Sequence, residues 1–229
     1  MRILKIASMA VLLVAAAGLA SATPVSYNLL DLIQQNGTVQ SGDKTFSNFA
    51  ATINAEGGVT TPSSLSGITV TPISMGSLFG LQLSGGMSAI CVPATCPAFW
   101  DLNISWDVTA ANPYLIDGVY LSFNGIASNN ASLASITETI QVGASNVGTG
   151  FVAYPNPMSI FIPLNGAYQS IRITKDILLV ATVLEEEQRA FASLSDVDQY
   201  YHQVVPEPGT YALIGAGLLG LGLLRRRIS

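Results

Sequence analysis

The chain has 229 residues and a formal net charge of −5, with 49% hydrophobic and only 10% charged side chains. So few charges among so many apolar residues exclude a disordered charged tail and a long solvated helix, and the acidic balance excludes tracking of phosphate backbones, so nucleic acid is not expected as a partner. Two cysteines and one histidine leave too few ligands for a zinc site.

At the start of the chain Arg2 and Lys5 precede an almost wholly apolar stretch, residues 7–19, and then Ala20-Ser21-Ala22. This is the charged, apolar and small-x-small order of a signal peptide over residues 1–22, read by signal peptidase at Ala20 and Ala22 and cut after Ala22. Pro24 favours an extended, cleavable exit, and a retained anchor is the alternative. Residues 23–204 then form one domain of ordinary size, with four basic against thirteen acidic residues, a net charge of −9.

Along this domain the periodicity is that of strands. In residues 99–109, Trp100, Leu102, Ile104, Trp106 and Val108 fall on one face and Asp101, Asn103, Ser105, Asp107 and Thr109 on the other, as in a half-buried strand. Val119, Leu121 and Phe123 continue the pattern up to Asn124-Gly125, a dipeptide suited to a tight turn. Ile136, Ile140 and Val142, then residues 160–164, then Ile171, Ile173 and Ile177 add further short apolar runs, punctuated by Gly and Pro. The expected fold is all-β: an antiparallel β-sandwich, jelly-roll-like or immunoglobulin-like, flanked by an N-terminal signal helix and a C-terminal hydrophobic helix. Residues 185–194 are the one stretch read as a short helix, with Glu185, Glu186 and Glu187 at its dipole-favourable start.

Candidate chemistry within the domain is sparse. Cys91 and Cys96 enclose four residues and are expected to be bonded to each other in an exported protein; a redox-active pair is the alternative. His202 is the only imidazole base and stands at the very end of the domain, so it reads as a strand-end histidine and no catalytic residue is assigned. Asp101 and Asp107, six residues apart on one strand, lie about 20 Å apart, too far for a glycosidase pair, which needs at most about 9.5 Å. Their polar face with Asn103 is a conceivable calcium surface, though solvated carboxylates are the default, and neither metal nor cofactor is assigned. Trp100 and Trp106 offer a sugar-stacking platform, but their parity with Leu102 and Ile104 places them in the core; more exposed candidates are Tyr200 and Tyr201, of which at least one should face solvent. Glu138 shares the parity of Ile136 and Ile140, and Lys175 that of Ile173 and Ile177, so both face inward on regular strands, where they would form a buried charge pair. A bulge or edge strand turning either outward is the alternative.

The chain ends in Pro206-Glu207-Pro208, a hydrophobic segment at 211–224, and the cluster Arg225, Arg226 and Arg227. A helix of 14 residues spans about 21 Å, short of the about 30 Å hydrocarbon core, which suits a transient anchor whose arginines stop on the cytoplasmic side. Ala212, Ala216 and Gly220 make a smooth helical stripe against which another membrane protein could pack. This tail, residues 205–229, resembles the PEP-CTERM sorting signal of Gram-negative-type bacteria. The resemblance implies that Pro206, Glu207 and Pro208 are the sorting motif and that an exosortase-like enzyme processes the protein in the inner membrane. Residues 42–49, 136–140 and 171–177 also resemble segments recurring in such proteins. The expected function is accordingly non-enzymatic: a structural or adhesive protein of the cell surface or extracellular matrix, with exopolysaccharide as partner. A carbohydrate- or calcium-binding module is the alternative. Ice binding is less favoured because Thr69-Val70-Thr71 is an isolated element, and a secreted hydrolase comes last.

Overall fold

The computed structural model describes residues 25–184 and 188–205. The elements run β1 (Tyr27–Asn28), α1 (Leu29–Gln34), β2 (Val39–Ser41), β3 (Lys44–Glu56), β4 (Val59–Thr61), β5 (Thr69–Met75), β6 (Leu78–Cys91), β7 (Ala98–Ala110), β8 (Leu115–Ala127), β9 (Leu133–Val142), β10 (Ser145–Ala153), β11 (Ser159–Tyr168), β12 (Ser170–Ala181) and β13 (Ala190–Val204). They form two antiparallel sheets, ordered β1-β5-β6-β13-β8-β11, with β4 also on β6, and β10-β9-β12-β7-β3-β2. From β6 onward each strand crosses to the opposite sheet, except at the β9–β10 hairpin. The resulting orders β6-β13-β8-β11 and β7-β12-β9-β10 are those of a jelly roll rather than an immunoglobulin domain.

The core lies between the sheets. Trp100, Leu102, Ile104, Trp106 and Val108 of β7 are all buried, facing Leu81, Leu83, Val119, Leu121, Val197 and Tyr201 of the first sheet. The period-2 pattern read from residues 99–109 therefore gives the central strand its inner face. One short helix interrupts the β pattern: the Asn28 side chain caps α1 by accepting from Leu30 N at 3.0 Å, and Leu29 and Leu32, three apart, bury the inner side.

Two local expectations are overturned. Asn124-Gly125 is no turn but lies inside β8. A Cβ on Gly125 would stand 2.7 Å from the Phe123 ring and 2.9 Å from the Ser193 carbonyl, so this glycine serves close packing. Opposite it, β13 inserts Ser195 between Leu194, paired with Gly125, and Asp196, paired with Asn124. The helix expected over residues 185–194 is absent where described, since β13 starts at Ala190; Glu185, Glu186 and Glu187 lie outside the described residues. Ala190, Ala192 and Leu194 alternate inward, and pairing with β6 on one side and β8 on the other overrides any helical propensity. The signal peptide, the hydrophobic segment 211–224 and the two flanking helices also lie outside the described residues. Among those described, no helix is long and apolar enough to cross a membrane.

Candidate functional site

The outer face of the first sheet carries an aromatic row. Register pairs Tyr200 of β13 with Tyr120 of β8, and Tyr120 with Phe161 of β11, so three rings stand side by side across neighbouring strands. Tyr120 and Phe161 are 36% and 41% exposed, and their ring centroids lie 4.5 Å apart. Two strand spacings of about 4.8 Å make the row roughly 10 Å wide. Gly118 lets the Phe161 ring lie across β8, since a Cβ there would come within 2.4 Å of that ring.

Polar groups border the row on both sides. Two residues along each strand, Gln82, Asp198, Ser122 and Ser159 form the adjacent cross-strand row, and Gln82 Nε2 donates to Asp198 Oδ1 at 2.8 Å. Partial burial holds the Asp198 carboxyl above the ordinary carboxylate range, helped by Asp196, while the Gln82 hydrogen bond opposes the shift. Burial, then the charge of Asp198, raises the Tyr200 phenol. On the other side His202 Nδ1 is hydrogen-bonded to Asp117 Oδ1 at 2.6 Å and meets the Phe161 ring edge-on at 6.1 Å. Tyr120, Ser122, Phe161, Asp198 and Tyr200 line a shallow cleft of about 450 Å³. Such a surface suits a ligand with an apolar ring face and hydroxyls around its edge.

The other singled-out residues fall elsewhere. Trp100 and Trp106 are fully buried; Trp106 Nε1 donates to the Tyr201 hydroxyl at 3.0 Å and Trp100 Nε1 to the Pro62 carbonyl at 2.9 Å. Of the tyrosine pair, Tyr201 is the inward one. Asp107 lies on the outer face of the second sheet, bonded to Arg172 Nη1 at 2.8 Å and Asn48 Nδ2 at 2.7 Å. Asp101, on the same face, accepts from Asn54 Nδ2 at 3.4 Å, and the neighbouring Asp176 carboxyl is raised by partial burial and then by Asp101. Among the described residues, no group of three His, Cys, Asp or Glu is disposed to hold a metal ion. Cys91 and Cys96 form a disulfide. Glu138 and Lys175, direct partners across β9 and β12, are both fully buried and in contact.

The tail supplies the comparison with known proteins. Residues 204–227 match the family described as PEP-CTERM protein-sorting motif. The chain carries a PEP-CTERM sorting tail. No curated protein matches it. The PEP-CTERM motif implies an exported protein that passes through a transient membrane-anchored stage and is processed by exosortase-like machinery. Ala20, Ala22, Pro206, Glu207, Pro208, Arg225, Arg226 and Arg227 lie outside the described residues.

Sequence reasoning passed over Tyr120 and Phe161. Parity held the signal, for Tyr120 alternates with the inward Val119 and Leu121, and Phe161 precedes the inward Ile162. What parity could not give is the strand order that sets β13, β8 and β11 side by side.

Proposed function

We propose that the exported domain is a non-enzymatic adhesive or structural module of the cell surface or exopolysaccharide matrix, and that it contacts polysaccharide through the row Tyr200, Tyr120 and Phe161. The row itself supports this reading. Flat aromatic faces stack on the apolar faces of sugar rings, and the flanking Gln82, Asp198, Ser122 and His202 offer hydrogen bonds to hydroxyls. Lectin domains are among the jelly rolls, an analogy of fold that leaves function to the site. The −9 net charge of residues 23–204 favours neutral or cation-bridged glycans over strongly anionic ones.

The test is affinity electrophoresis of the processed protein through gels containing the producing strain's own exopolysaccharide. The expected outcome is retardation by wild type and its loss in Tyr120→Ala and Phe161→Ala, with unchanged melting temperatures. Equal migration of all three proteins in gels with and without polysaccharide refutes the assignment.

A further inference from the structure

Three polar side chains meet inside the core. Lys175 of β12 and Glu138 of β9 are 0% exposed, and Gln199, entering from β13 of the facing sheet, is 1% exposed. Glu138 uses both carboxylate oxygens: Oε2 contacts Lys175 Nζ, and Oε1 accepts from Gln199 Nε2 at 2.6 Å. One carboxylate thus holds an amine and a carboxamide. Around them stand the Trp106 ring, its centroid 5.8 Å from Nζ, and the buried Tyr201.

As packing alone, this cluster is expensive. A buried ion pair seldom recovers its desolvation cost, and hydrophobic residues of similar volume serve as well or better. Gln199 Oε1 is also buried with no hydrogen-bond partner, an arrangement native cores largely avoid. As chemistry, the set is complete: an amine nucleophile, an amide electrophile and a carboxyl group touching both. Burial pushes the Lys175 amine down from its ordinary value, against the opposing pull of Glu138, and so favours the neutral, nucleophilic form.

We propose that Lys175 and Gln199 become joined by an intramolecular isopeptide bond, with Glu138 carrying the protons. One proton transfer turns the ion pair into a neutral amine and a carboxylic acid. Lys175 Nζ then attacks Gln199 Cδ, forming a C–N bond. Glu138 accepts a proton from Nζ and delivers one to Nε2, the Cδ–Nε2 bond breaks, and ammonia leaves. Glu138 is left as the acid it became in the first transfer and regains its carboxylate by passing that proton to the departing ammonia, so the balance is one ammonia lost from the protein, carried off as ammonium, with no oxidant, reductant or cofactor. Enclosure in the core supplies the proximity that such a reaction needs. The product ties β12 of one sheet to β13 of the other by a covalent bond through the core. Lys44 makes an instructive contrast. It too is fully buried and contacts Asp43 and Gln203, but Asp43 bonds only the amine, and Gln203 is partly exposed.

Intact mass of the exported wild-type protein, disulfide reduced, is the test. Expected is a mass lower by one ammonia than the processed sequence requires, with tandem spectra of a branched peptide joining Lys175 to Gln199. Lys175→Arg and Glu138→Gln should each show the unmodified mass, the second because an amide cannot shuttle the protons. An unmodified wild-type mass overturns the proposal whether or not the variants fold. So does loss of water mapped to Lys175 and Glu138, or a cross-link mapped to Lys44 and Gln203.

Discussion

Tyr201→Phe isolates one buried hydrogen bond with almost no change of shape. The Tyr201 hydroxyl accepts from Trp106 Nε1 at 3.0 Å, and both side chains are 0% exposed. Removing the oxygen leaves the indole N–H buried without a partner, at a cost of about 1–3 kcal/mol. The ring keeps its packing on Phe46, 5.5 Å away between centroids, so little cavity term is added. For a domain of this size each kcal/mol moves the melting temperature by about 2–4 °C, so the expected fall is roughly 2–12 °C. Burial, then the charge of Glu138, pushes the Tyr201 phenol well above its ordinary value, so it stays protonated and the deficit should be the same at neutral and mildly alkaline pH. Thermal unfolding followed by circular dichroism at both pH values measures it. A melting temperature equal to wild type at either pH refutes the reasoning, since it would mean that the indole N–H finds another acceptor or that the hydroxyl is not buried.

Three further outcomes follow from the same structure. Asp176 is held above the ordinary carboxylate range by burial and by Asp101, so its favourable contribution is present at acid pH and lost as pH rises through that raised value. Asp176→Asn should therefore raise the melting temperature at pH 7 by less than about 4 °C and leave it unchanged below about pH 4, where the acid is neutral in any case; a neutral-pH decrease would contradict this. Replacing Cys91 and Cys96 together by Ser opens a six-residue loop and should cost about 2 kcal/mol, read as a shift of the denaturant midpoint at unchanged slope. A chain ending at Val205 keeps the two sheets and their core, so it should melt with the full-length domain while losing the membrane-held stage, measured by fractionation of cells with and without the sorting protease.

The parts of this fold that could be read in advance are those in which one strand carries its own message. The alternation from Trp100 to Val108 fixes the inner face of β7, and the parities of Glu138 and Lys175 point both side chains inward on their strands. Their direct pairing needed the register of β9 on β12, which no local pattern encodes. Asn124-Gly125 misleads for a physical reason: a glycine chosen for close approach and a glycine chosen for a turn look alike in sequence. β13 misleads similarly, because three glutamates before a mixed run suggest a helix start, whereas pairing on both sides makes the segment a central strand. Gln199 was invisible as a site residue, since its partner Glu138 belongs to the opposite sheet and lies 61 positions earlier.

β13 brings the address and the domain together. It is paired along both edges, with β6 and β8, and ends at Val204, where the sorting match begins. Pro206 lies two residues beyond, at most about 7 Å of extended chain. Tension on the tail during the anchored stage therefore reaches the chain at the end of a central strand of the sandwich. The last residues of that strand are fastened by side chains as well: His202 bonds Asp117, and Gln203 bonds the buried Lys44 of the other sheet. Interlocking of this kind keeps the end of β13 from peeling away from the core up to the residue where the sorting match begins.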